Sequence, residues 1–137
     1  MCAIFGIVGS YNKTMAEAAF ATLAHRGSDA HGVVVEEKLF LGHHRLSIID
    51  PFPEADQPMC VNDAIIVMNG EIYNYRELRK RLGDTFRTRS DTEVAAAAFK
   101  RWGEKMSEHL RGMYAVAIWE KGVLHLFRDP FGKKPLY

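Results

Sequence analysis

Cysteine is nearly missing from this chain of 137 residues, with only Cys2 and Cys60 present. Two thiols cannot build a disulfide framework, and a chain of this length buries enough surface to do without one. A reducing, cytoplasmic compartment is the expectation. Long apolar runs are missing too. Nothing approaches the roughly 18 consecutive apolar residues of a membrane-spanning helix, and the apolar opening from Met1 to Gly9 lacks the preceding basic region of a secretion signal. An excess of one charge is also absent: 18 basic against 17 acidic residues leave a formal net charge of +1, so neither nucleic acid nor a membrane surface is expected to bind. The local basic cluster Arg76, Arg79, Lys80 and Arg81 is interleaved with Leu78 and Leu82 and reads as the solvated face of a helix. With no repeat, low-complexity segment or linker, residues 1–137 read as one domain.

What is present is a series of short strands and helices. Ile4 to Val8 is an uninterrupted apolar run bounded by Gly9 and reads as a strand buried on both faces, with Cys2 at its mouth. Thr14 to Leu23 has helical apolar spacing, and Thr14 with Glu17 resembles a capping box. Residues 33–35 and 39–42 flank a charged turn and predict a hairpin. Three prolines between Asp50 and Pro58 predict a loop. Ala64 to Met68 then reads as a buried strand, Tyr75 to Leu82 and Asp91 to Trp102 as helices ended by Gly83 and Gly103, and residues 115–119 and 123–127 as a second hairpin. Hairpins with helices inserted between them point to antiparallel sheet in an α+β architecture.

Several residues could carry chemistry. Removal of Met1, which aminopeptidase favours before a small residue, would place a thiol and a free α-amine on Cys2; such an amine, with a pKa of roughly 7.7–8.0, can exchange protons with the nucleophile beside it. Asn69-Gly70 is first of all a turn signal, yet an Asn amide and the next Gly N–H can also converge on one oxygen and form an oxyanion hole, with Glu71 as an acceptor beside it. Arg45 could match a carboxylate through two parallel hydrogen bonds or could make a structural ion pair. Ser90 or Asp91 caps the helix that follows. His43 and His44 are adjacent on an extended segment and point to opposite faces, so no metal site is expected from them.

The order of these segments resembles the class II glutamine amidotransferases, and within them the glutaminase domain of the asparagine synthetases. The resemblance is carried by Met1-Cys2-Ala3-Ile4-Phe5-Gly6, His25-Arg26-Gly27-Ser28-Asp29, the block from Gly42 to Asp50 with Gln57-Pro58-Met59, Asn69-Gly70-Glu71-Ile72-Tyr73-Asn74-Tyr75, Ser90-Asp91-Thr92-Glu93-Val94, and the block from Arg128 to Tyr137. It implies the four-layer αββα fold of the N-terminal nucleophile hydrolases. It implies also that Cys2 attacks the side-chain amide of glutamine, that Asn69 and Gly70 hold the oxyanion, that Arg45 grips the substrate carboxylate, that Glu71 and Asp91 accept from its α-ammonium, and that backbone around Leu46 and Ile48 completes the pocket. Glutamate and ammonia would be the products, the ammonia passing to a synthetase domain or subunit.

The chain departs from that family at Ala3, commonly Gly, and at Ser28, commonly Pro; neither change removes a chemical group. The resemblance further implies a domain that continues beyond Tyr137, so the expectation is a C-terminally incomplete glutaminase unit. No Ser-Gly-Gly-x-Asp-Ser loop for ATP occurs, so ATP and magnesium are expected to belong to a synthetase domain and this domain to need no cofactor. An unpaired edge strand near the C-terminus would favour association with a partner or a second copy. Retention of Met1 would leave Cys2 with an amide nitrogen, and the alternative is then a non-catalytic glutamine-binding or interaction module.

Overall fold

Leu39, Leu41 and His43 lie on one side of their strand, with Phe40, Gly42 and His44 on the other. Both sides are buried, so the strand β3 (Leu39–Arg45) lies in the interior along its whole length. The computed structural model describes residues 1–137. β3 is the middle of a three-stranded antiparallel sheet, between β1 (Ala3–Val8) and β2 (Ala30–Glu36), with Ala3 opposite His44 and Ala30 opposite Arg45.

The second sheet is four-stranded and antiparallel, in the order β4 (Met59–Val61), β5 (Ala64–Ile72), β6 (Gly112–Glu120) and β7 (Val123–Arg128). Alternation along β5 sends Val67 toward the first sheet, where it meets Leu39, Leu41 and Ala117. Ile66, Met68 and Ile72 point the other way, against α2 (Tyr75–Leu82) and α3 (Asp91–Trp102). The alanine run of α3 has no long side chains to hold it off the sheet, so the helix lies close on it. On the far side, α1 (Lys13–Ala21) packs Ala16 and Phe20 on Phe40. Phe20 also stacks on His44, with ring centroids 4.1 Å apart, and Gly42 leaves room for that ring: a Cβ there would come within 2.7 Å of it. The layers therefore run helix, sheet, sheet, helices, the αββα order expected. No helix is long and apolar enough to cross a membrane.

Some elements differ from the sequence reading. β1 is only partly buried, because it forms an edge of its sheet instead of lying between two strands. Asn12, not Thr14, caps α1, its side-chain oxygen accepting from the Met15 N–H at 3.0 Å. The proline-rich loop holds a single turn of 3₁₀ helix at Pro53–Ala55 and leads into the short strand β4, which three residues are too few to announce. β5 runs straight through Asn69-Gly70, so this pair is strand and not turn. α2 and α3 have the bounds expected, with Gly83 left-handed (φ 67°) behind α2 and the Ser90 hydroxyl accepting from the Glu93 N–H ahead of α3. The basic cluster on α2 is partly engaged: Arg79 lies 4.2 Å over Phe86 and donates to the Thr88 carbonyl.

Candidate active site

β1 delivers Cys2 to a cavity of about 340 Å³ whose other walls are the loop after β3, the end of β5 and the start of α3. Cys2, Arg45, Leu46, Ile48, Asn69, Gly70, Glu71 and Asp91, all of the residues singled out from the sequence, line it. The Cys2 thiol is half-buried and held by the backbone of one residue, its sulfur accepting from the Leu46 N–H at 3.3 Å and donating to the Leu46 carbonyl at 3.6 Å. Arg26 donates from Nε to the Cys2 carbonyl at 3.4 Å and fixes the backbone behind the thiol.

The open edge of β5 makes the opposite wall. β4 pairs β5 only as far as Ile66, whereas β6 pairs it to Ile72. Beyond Ile66, the residues whose N–H groups face away from β6 are Met68, Gly70 and Ile72, because alternate residues share an edge. Gln57 Oε1 takes the Met68 N–H at 2.6 Å and Asp91 Oδ2 takes the Ile72 N–H at 2.8 Å. The Gly70 N–H between them has no side-chain acceptor. Asn69 points from the same strand toward the first sheet, only 7% exposed, and its amide makes no hydrogen bond within the protein. It also lines a second, more apolar cavity of about 620 Å³ between the sheets, with Leu41, Val67, Ala117 and Leu126.

Charge is distributed unevenly around the cavity. Burial pushes the Asp91 carboxyl above the usual carboxylate range, and neighbouring Glu71 pushes the same way, against the lowering effect of the Ile72 N–H. Glu71 is half-buried, and its side chain has no hydrogen-bond partner. Arg45 is buried and its terminal nitrogens are already engaged: Nη1 donates to Asp56 at 2.6 Å and to the Phe52 carbonyl at 3.1 Å, and Nη2 to the carbonyls of Ile49 at 3.3 Å and Asp50 at 2.5 Å. The structural ion pair open to Arg45 on sequence grounds is therefore made, and the guanidinium braces the loop from Leu46 to Asp56. Ile48 is exposed at the rim.

Three residues of the site carried no assigned role in the sequence reading. Gln57 is buried behind β5. Lys134 is 8% exposed and lines the cavity, and its amine has the Met1 sulfur at 3.4 Å as its only hydrogen-bond partner, with no carboxylate paired to it. Asp129 places it there. The Asp129 carboxylate accepts from the N–H groups of Tyr114, Phe131, Lys133 and Lys134. Burial alone would raise this carboxyl, but those four donors outweigh it and hold it below the usual range. Asp129-Pro130 is a turn signal, which could have shown a loop but not that the loop returns to Cys2. The two adjacent histidines do diverge: His43 reaches the Met68 carbonyl and His44 the Phe20 carbonyl, each at 3.1 Å.

A family model described as glutamine amidotransferase domain matches residues 1–137. The chain is 48% identical over 122 residues to asparagine synthetase [glutamine-hydrolyzing] 1 of Bacillus subtilis (strain 168), covering 84% of this chain and 19% of that protein. It is 38% identical to asparagine synthetase [glutamine-hydrolyzing] of Asparagus officinalis, covering 100% of this chain and 25% of that one. It thus spans about a quarter or less of the length of these curated relatives. Among solved structures, glutamine phosphoribosylpyrophosphate amidotransferase from B. subtilis, complexed with ADP and GMP, superposes with a TM-score of 0.81 at 25% identity, over 96% of this chain and 38% of that chain.

Proposed function

Because this chain belongs to the glutamine amidotransferase family, in the branch represented by the asparagine synthetases, we propose that its cavity hydrolyses glutamine in the following way. With Met1 removed, the Cys2 α-amine takes the thiol proton and the sulfur attacks the side-chain amide carbon of glutamine. Negative charge then develops on the amide oxygen, where the Asn69 amide and the Gly70 N–H receive it. Collapse of that intermediate returns the proton to the departing nitrogen, releases ammonia and leaves a thioester on Cys2. Water attacks the thioester carbon, and glutamate leaves with the thiol restored.

The α-ammonium of the substrate lies between Glu71 and Asp91, and its carboxylate lies toward Arg45 and the backbone near Leu46 and Ile48. Arg45 contributes there by holding the loop as much as by its charge, given how its nitrogens are engaged. The ammonia serves a synthetase domain or subunit of the kind the relatives' names describe, and ATP chemistry belongs to that unit. The observation that carries this reading is the pair of free donors, Asn69 and Gly70, facing the same cavity as the anchored Cys2 sulfur.

Retention of Met1 favours a second reading. Its side chain lines the cavity and touches Lys134, and a peptide nitrogen on Cys2 is no base, so the unprocessed chain would bind glutamine without hydrolysing it.

The test is an intact mass before and after incubation with an electrophilic glutamine analogue. The expected result is a mass lacking Met1 that gains one adduct, mapped by digestion to Cys2 and not to the exposed Cys60. Labelling of Cys60 alone, or none in a chain freed of Met1, would remove Cys2 from the role of nucleophile.

A further inference from the structure

A strand edge left open presents a row of equivalent donors, and a substrate oxygen arriving there has no reason to choose one of them. On the open edge of β5 the choice has been made by side chains. Met68 and Ile72 are capped and Gly70 is not. The two caps differ in kind: Asp91 reaches back from the start of α3, whereas Gln57 comes from the loop ahead of β4.

Gln57 uses both ends of its amide. Oε1 accepts from the Met68 N–H at 2.6 Å, and Nε2 donates to the Thr92 hydroxyl on α3 at 3.1 Å. The residue is 8% exposed and its backbone is held as well, since it packs on Gly32 so closely that a Cβ there would come within 2.6 Å of the Gln57 carbonyl oxygen. The other group of the same residue of β5, the Met68 carbonyl, accepts from His43 at 3.1 Å. Met68 is thus fastened through both its N–H and its C=O, two residues ahead of the free donor.

We infer that Gln57 is a positioning residue for the oxyanion hole: by capping Met68 and bridging to Thr92 it fixes the direction of the Gly70 N–H and denies the substrate oxygen a competing donor. The inference rests on the reading of Asn69 and Gly70 given above. An amide suits the task because it supplies an acceptor without a negative charge next to a site where negative charge develops. A donor set in place before the substrate arrives acts on the transition state, so loss of the cap affects turnover and leaves the binding of glutamine, which uses the other end of the cavity, almost unchanged.

The experiment measures glutaminase kcat and KM in the chain freed of Met1, for Gln57→Met, which keeps the volume and removes the acceptor, and for Thr92→Val, which removes only the anchor of the bridge. Gln57→Met should lower kcat by about 10- to 100-fold with KM within about 3-fold, and Thr92→Val should lower it less, in the same direction. Hydrogen exchange of the backbone amides provides a readout that needs no activity: Gln57→Met, or Thr92→Val if the first variant does not fold, should speed exchange at Met68 more than elsewhere in β5. Unchanged kcat in both variants, beside inactive Cys2→Ala and slow Asn69→Ala, overturns the inference and leaves the reading of the cavity standing. Full turnover in Cys2→Ala and Asn69→Ala overturns both. Unaltered exchange at Met68 overturns the inference whatever the kinetics.

Discussion

Asn69 and Arg45 show how differently two polar side chains in one cavity can be used. Arg45 is saturated: both terminal nitrogens serve the loop, and its replacement would cost structure first. Asn69 lies in a position only 7% exposed, without a hydrogen-bond partner in the protein, yet its amide is not sealed off and opens on the cavity. A polar group aimed into a cavity beside Cys2 with its bonding capacity unused is placed for something that arrives later. Asn69→Ala should therefore lower glutamine turnover by about 100- to 1000-fold, with KM and the melting temperature nearly unchanged. Steady-state kinetics and a thermal melt on the same sample test this; a variant that melts early and turns over normally would make Asn69 structural.

Among the elements, β5 carries both candidate oxyanion donors, and its second half was not legible in the sequence. Ala64 to Met68 announces a strand by composition, but Asn69-Gly70 is the strongest local turn signal in the segment. The strand persists because tertiary contacts override the signal: β6 pairs with β5 as far as Ile72, and a Cβ on Gly70 would collide with the Met113 carbonyl. Gly70 is needed for close approach to the neighbouring strand, not for a turn. Gly70→Ala should separate β5 from β6 locally, costing about 1–3 kcal/mol and abolishing turnover, and urea denaturation beside an activity assay would register both losses; an intact, fully active variant would exclude that steric role.

α2 and α3, by contrast, could be read to the residue, because Ser90, Gly83 and Gly103 carry local backbone signals that no distant contact reverses. All the residues singled out for chemistry proved to share one cavity, because the ordered motifs that carried the resemblance specify them one by one. The pairings behind them stayed hidden. That Gln57 caps Met68, or that Asp129 gathers a loop around itself, depends on segments meeting across the fold, and composition and spacing hold no record of such meetings.

For the molecule as a whole, the seam between the sheets matters most, and His43 sits in it. The ring is fully buried, its Nε2 on the Met68 carbonyl and its Nδ1 without a partner. Burial lowers its pKa from 6.5 to about 4, the Met68 contact offsetting part of the effect. Between those two values the unfolded chain holds a proton that the folded chain does not, so stability falls as pH falls from 6.5 toward 4, by about 3 kcal/mol in all. Asp91, raised by burial, works in the opposite direction through its own range, and Asp129, lowered by its four donors, works in the same direction as His43. Comparing the wild type with His43→Gln subtracts both. Melting temperatures from pH 7 to pH 4 should fall more steeply in the wild type than in the variant, and parallel curves would clear His43 of the effect.

The contact between Lys134 and Met1 joins positions 133 apart in sequence. A ribosome releases the first of these long before the last; at 5–20 residues per second the interval is on the order of ten seconds. Throughout that time the N-terminus is outside while the loop around Asp129 is still being made. An aminopeptidase thus meets Met1 before Lys134 can touch it. Trimming and closure come in a fixed order, and a chain that misses the first step finishes folding with its own first residue in the wall of the cavity.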